Sequence, residues 1–306
     1  MEILMESVQE SSKMEIPFGP HDGARADIKD ILGGFVDFSD MSFGGISMSD
    51  KNYAVRVFVG RKGSGKTVYM RRVHAAAKKE KSIYSETYKE ESIYNEMYVA
   101  QIQQNLPSTE CVIKFSQWFP EPTLTEKWRE LWRRALLRSI FSHLMYAEPI
   151  NHILSPEEKE RLKKEYKNLL SKATTPMSAY SQVTYIINSH KSAKDFNNFC
   201  EDELWESLEY VLGQILKDAP PFFLFIDAID DEFAHAPMYW LRCQKGLFYQ
   251  VMKFMKSDSA IGSRLHIFIC IREIVYGSIL RSEHAMRYTD SYNIRILKWT
   301  KALLSG

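Results

Sequence analysis

Val55-Arg56-Val57-Phe58-Val59-Gly60-Arg61-Lys62-Gly63-Ser64-Gly65-Lys66-Thr67 spells G-x-x-x-x-G-K-[ST] from Gly60 onward, and its flanks agree with the spelling. A β-branched and aromatic run over 53–59 precedes the first glycine and reads as a buried strand. A helix-forming run over 67–79 follows the last one. Glycine at 60, 63 and 65 permits φ > 0 and close backbone approach, so successive N–H groups point inward at an anion. A helix opening at Lys66-Thr67 adds the positive end of its dipole. On this reading Gly60, Arg61, Lys62, Gly63, Ser64, Gly65, Lys66, Thr67 and Val68 form a phosphate cradle. Lys66 reaches the β- and γ-phosphates, and the Thr67 hydroxyl sits on Mg²⁺.

Composition bounds the rest. A chain of 306 residues buries a sizeable core, and 45 % hydrophobic with 26 % charged residues is ordinary for a globular protein. A formal net charge of +1 supplies no global pull toward nucleic acid or an anionic membrane. The four cysteines, Cys111, Cys200, Cys243 and Cys270, are scattered and form no C-x-x-C pair, so free thiols in a reducing compartment are expected. Residues 1–13 are acidic without an apolar core, which argues against a signal peptide. No apolar run approaches the ~20 residues that span a bilayer. A cytoplasmic protein is expected.

Residues 1–34 read as a loosely held arm ending in a short helix over 27–34, and residues 35–306 as one core. Within that core a short strand is expected at 82–86, a helix over 88–104 and a strand at Cys111–Ser116. An amphipathic helix follows over 125–146, carrying Trp128, Leu131, Trp132, Ala135 and Ile140 at three- and four-residue spacing. Ser155-Pro156-Glu157-Glu158 is a capping box opening a charged helix to about residue 172. Residues 173–200 read as irregular or weakly helical, and 203–216 as helical. A helical insertion thus occupies about 120–220. Strands are then expected at 222–226, 265–271 and 292–296, with a helix over 239–255. Strands alternating with helices imply an α/β fold with a mainly parallel sheet flanked by helices, where ligands bind at strand carboxyl ends.

The apolar run Phe222-Phe223-Leu224-Phe225-Ile226 ends in Asp227-Ala228-Ile229-Asp230-Asp231-Glu232. An acid closing such a strand is the expected form of a Walker B element, with Asp227 on Mg²⁺ at the end of a strand beside the phosphate-loop strand. Asp230, Asp231 and Glu232 are spaced to orient or deprotonate an attacking water.

Together these residues resemble the STAND branch of AAA-type P-loop ATPases, which carries an apolar run, D-[GA], an apolar residue and D-E at this place. Asp231 stands where that family usually has glutamate, and Glu232 follows one step later. The resemblance extends to the strand 265–271 closed by Arg272, an arginine read in the family as a γ-phosphate sensor. It implies a P-loop fold, ATP with Mg²⁺, and a catalytic set of Lys66, Asp231, Glu232 and Arg272. It also implies a nucleotide-controlled switch in a homo-oligomer or with a partner chain. The loop also resembles bacterial P-loop ATPases found with defence genes, which implies a role against phage. A helical lid usually follows the last core strand in such proteins, so the chain is expected to be a fragment or to rely on partners. Arg281 and Arg287 are candidate trans-acting fingers, or plain surface arginines.

ATP is favoured over GTP. Asp227-Ala228-Ile229-Asp230 lacks the glycine of D-x-x-G, and Ser192-Ala193-Lys194-Asp195 breaks the spacing of N-K-x-D. The alternative function is a DNA-dependent motor or loader. Lys127, Arg129, Arg133, Arg134 and Arg138 interleave with Trp128 and Trp132, but Glu126 and Glu130 interrupt them, so nucleic acid is not indicated. His235 and His266 are expected to be structural rather than metal ligands.

Overall fold

A computed structural model describes residues 56–87, 98–104, 106–148, 150–170, 174–227, 232–256, 260–282, 285–288 and 293–297. Its elements in chain order are β1 (Val57–Gly60), α1 (Lys66–Thr87), β2 (Tyr98–Val99), α2 (Thr109–Ser116) and α3 (Glu121–Tyr146). Then come α4 (Pro156–Glu165), α5 (Ala179–Ser189), α6 (Ala193–Glu201), α7 (Leu204–Asp218) and β3 (Phe222–Ile226). The last are α8 (Pro237–Met255), α9 (Ala260–Arg264), β4 (Leu265–Arg272), α10 (Glu273–Leu280) and β5 (Ile294–Ile296).

The five strands form one sheet in the order β2-β3-β4-β1-β5, and every pairing is parallel. This is the α/β architecture expected, with one correction. β4 lies between β1 and β3, so Asp227 closes a strand two places from the phosphate-loop strand rather than beside it.

Side chains alternate across the pleat, and both faces are buried. One face carries Val57, Val59, Phe222, Leu224, Ile226, Ile267 and Ile269, which share a core with Trp128, Trp132 and Phe248 of α3 and α8. The other presents Phe58, Phe223, Phe225 and Phe268. There Phe223, Phe225 and Phe268 stack nearly parallel, and α1 adds Tyr69 against Phe58 and the edge of His74 against Phe225. Burial on both sides is why these strands read as unbroken apolar runs instead of alternating ones.

Local structure departs from expectation in four places. Cys111–Ser116 is not a strand but belongs to α2. The Ser108 side chain caps it by accepting from the Cys111 N–H, and Cys111, Val112 and Phe115 bury one helical face. The strand of that region is instead β2, inside the stretch expected to be helical. Residues 82–86 continue α1. The span read as irregular or weakly helical holds two helices, α5 and α6, each opened by a serine cap, Ser178 and Ser192. The capping box at Ser155 is present, although its helix stops at Glu165. The arm over 1–26 and the short helix over 27–34 lie outside the described residues. Among the described residues no helix is long and apolar enough to cross a membrane.

The tightest helix contact is the crossing of α3 and α8. A Cβ on Gly246 would come within 2.6 Å of Trp128 Cβ and 2.8 Å of the backbone of Trp128 and Arg129. Backbone cannot yield as a side-chain tip can. Gly246→Ala is therefore expected to cost about 2–3 kcal/mol by forcing the helices apart, as chemical denaturation would measure.

Buried histidines set the acid limit. Burial above all pushes His74 and His143 down to about 4 and His266 to about 3. A histidine depressed from 6.5 binds its proton more readily in the unfolded chain, so this stability is complete above about pH 6.5. It drains as pH falls toward 4. The melting temperature should fall progressively across that window. His74→Gln keeps a donor for the Ala100 carbonyl, 3.1 Å from His74 Nε2, and should flatten that part of the profile.

Candidate functional site

The carboxyl ends of β1, β3 and β4 gather the residues singled out by the sequence. β1 brings the chain to Gly60, which still lies in the ladder, opposite Arg272. A Cβ on Gly60 would meet Ser64 Oγ at 2.1 Å and the Leu297 carbonyl at 3.3 Å. Close approach thus explains that glycine. The left-handed φ values belong to Gly63 (+78°) and Gly65 (+84°), so two of the three glycines expected there adopt them. Between them Ser64 is buried, and its Oγ has no hydrogen-bond partner among the described residues. Arg61 and Lys62 are exposed.

α1 opens at Lys66, and the Tyr69 N–H donates to the Gly65 carbonyl at 2.9 Å. Lys66 is buried, with Nζ turned into the loop and donating to the carbonyls of Arg61 at 2.8 Å and Gly60 at 3.2 Å. Thr67 and Val68 are half-buried in the same first turn. The Arg61 guanidinium pairs with Glu273 at 2.5 Å, tying the loop to the residue that follows Arg272.

Asp227 follows the last ladder residue of β3 and is buried. Its holders come from the β2 side. The Asp227 N–H donates to the Gln103 carbonyl at 3.1 Å, and Gln104 Nε2 donates to Oδ2 at 3.4 Å. Tyr180, at the start of α5, donates its hydroxyl to the Asp227 carbonyl at 2.5 Å. The Arg272 N–H donates to Gln244 Oε1 of α8 at 3.2 Å, while its guanidinium lies 4.5 Å from the Phe233 ring. That places it over the short 3-10 turn Glu232–Ala234.

Of the predicted site residues, then, the structure brings the loop, Asp227 and Arg272 to one edge of the sheet. Asp230 and Asp231 lie outside the described residues, and of Glu232 the backbone alone is described. Arg281 and Arg287 are exposed, at and beyond the end of α10.

The basic helix α3 resolves into packing and ion pairs. Arg134 is buried and donates to the Cys200 carbonyl at 2.7 Å, and Arg138 is buried over the Tyr185 ring. Lys127 pairs with Glu130 at 2.9 Å, Arg129 with Glu126, and Arg133 with Glu209 at 2.5 Å. Cys111, Cys243 and Cys270 are buried, and all four cysteines are free. His266 is buried and His235 exposed.

No protein-family model, curated protein or solved structure matches this chain. What can be said of the site therefore rests on its own residues. Gln103, Gln104 and Tyr180 were not found by sequence reasoning. They carry no motif, and only the fold brings them to Asp227.

The two kinds of glycine should respond differently to alanine. Gly63 has open space around its Cβ position, so Gly63→Ala meets backbone strain alone, about 1 kcal/mol. Gly60→Ala must displace Ser64 and should cost more and disturb the loop, which thermal unfolding of the two variants side by side would measure.

Proposed function

We propose that this protein is a P-loop ATPase of the STAND/AAA-like kind. It binds ATP with Mg²⁺, hydrolyses it, and couples nucleotide state to self-assembly or partner contacts. The observation that carries this reading is the loop at the end of β1. Two left-handed glycines bracket a buried serine hydroxyl that has no hydrogen-bond partner among the described residues, and a buried lysine amine sits among the loop carbonyls.

The residues fit the groups. The loop can turn N–H donors and Lys66 Nζ toward phosphate oxygens, exchanging two internal carbonyl contacts of the amine for charge-assisted ones. Among the described residues no cluster of three or more His, Cys, Asp or Glu side chains is arranged to hold a metal. A buried Asp227 and a Thr67 hydroxyl suit Mg²⁺, which takes few protein ligands and keeps its waters. β3 stands two strand spacings from β1, roughly 10 Å, a gap that suits contact through water. Bound Mg²⁺ supplies neutralisation of charge on the β- and γ-phosphates. On this reading an acid among Asp230, Asp231 and Glu232 orients the attacking water. Arg272, anchored beside Gly60, stabilises charge on the γ-phosphate once its guanidinium leaves Phe233. A role in defence against phage rests on the resemblance of the loop alone. The burial and acid pairing of the α3 arginines argue against the DNA-dependent alternative.

The test is ATP turnover with Mg²⁺ over a range of protein concentrations, beside Lys66→Ala. Wild-type protein should hydrolyse ATP at a rate per chain that climbs with concentration. The variant should lose turnover and bind ATP about 10- to 100-fold more weakly, the cost of one hydrogen bond to a charged group. Equal ATP affinity in both proteins would overturn the reading.

A further inference from the structure

Asp227 lies just beyond the pairing of β3 with β4, which ends at Ile226 opposite Ile269. On the other side the irregular segment after β2 continues along β3. The Ala100 N–H donates to the Phe223 carbonyl at 3.0 Å, and the Gln103 N–H to the Phe225 carbonyl at 2.8 Å. The Asp227 N–H then returns a bond to the Gln103 carbonyl at 3.1 Å. The Gln103 side chain reaches the start of α5, where its Oε1 accepts from the Ala179 N–H at 2.8 Å. The next residue, Tyr180, closes the circuit by donating to the Asp227 carbonyl at 2.5 Å.

We infer that Tyr180 and Gln103 are positioning residues for Asp227, holding both of its backbone polar groups so that its carboxylate is set to bind Mg²⁺. This rests on the ATP and Mg²⁺ reading of the site. Fixing the N–H and the C=O fixes φ and ψ, and these fix the direction of the Cα–Cβ bond. Gln104 Nε2, 3.4 Å from Oδ2, then restrains the carboxylate itself. Tyr180 suits the task. Its ring is fully buried, edge-on to Trp132 with centroids 5.7 Å apart. Ser178 caps α5 by accepting from the Ser181 N–H at 3.0 Å, so the helix that carries the tyrosine has a defined start. Helices α2 to α7, which lie between β2 and β3, are thereby tied to the metal ligand through Tyr180.

The experiment uses the full chain and Tyr180→Phe, which removes one oxygen and keeps the buried ring. Turnover is titrated with Mg²⁺ at saturating ATP, and ATP binding is measured by calorimetry in EDTA. The variant should need about tenfold more Mg²⁺ for half-maximal turnover, as when an outer partner of a metal ligand is lost. Its metal-free ATP affinity should stay within about twofold of wild type, a split that general loss of structure does not produce. Gln103→Met, which removes the acceptor for Ala179, should shift the Mg²⁺ midpoint the same way and serves if Tyr180→Phe does not fold. An unchanged Mg²⁺ midpoint, or an equal loss of metal-free binding, overturns the inference. If wild-type protein itself binds ATP without dependence on Mg²⁺ or on Lys66, the nucleotide reading falls and takes the inference with it.

Discussion

Parallel pairing of β1 with β4, Val57 opposite Ile269 and Gly60 opposite Arg272, is the constraint on which the rest depends. In a parallel ladder every carboxyl end points the same way. Register then decides which loops become neighbours. With Gly60 level with Arg272, the glycine-rich loop and the start of α10 emerge side by side, and the Arg61–Glu273 ion pair is a consequence. That pair is exposed and contributes little to stability; its effect is to tie the loop to β4.

Burial of both faces explains how so short a β1, four residues, holds its place. Val57 and Val59 belong to the core shared with α3 and α8, while Phe58 packs against Tyr69 of α1. The same helix therefore covers one face of the sheet and begins with the loop lysine. Packing of α1 on the aromatic face of β3 and β4 fixes where Lys66 starts, so a distant contact such as His74 against Phe225 bears on loop geometry.

The polar groups at the sheet edge are satisfied by neighbours that also connect layers. Gln244 of α8 accepts from the Arg272 N–H, and Tyr180 of α5 donates to the Asp227 carbonyl. A buried backbone group left without a partner costs about 1–3 kcal/mol, so these side chains are needed where strand pairing stops. They also make the ends of β3 and β4 depend on helices far away in sequence. That is a physical route by which a change at the site would be felt in the helical segment, and the reverse.

Read alone, the amino-acid sequence determined the loop, the strands over 222–226 and 265–271, the parallel α/β class and the cap at Ser155. Each is a local signal: a fixed spacing of glycines, an apolar run bounded by polar residues, a hydroxyl three positions from a glutamate. Cys111–Ser116 misled because a six-residue stretch that is mostly apolar has no readable period, and the Ser108 cap together with burial against α3, α5 and α6 decided for helix. β2 was invisible because two residues carry no pattern, and pairing with β3 alone makes them a strand. The placing of β4 between β1 and β3 and the gathering of Gln103 and Tyr180 around Asp227 were decided only by tertiary structure. Strand order and hydrogen bonds between residues 47 and 124 positions from Asp227 depend on how layers pack, and no local spacing in the chain encodes that.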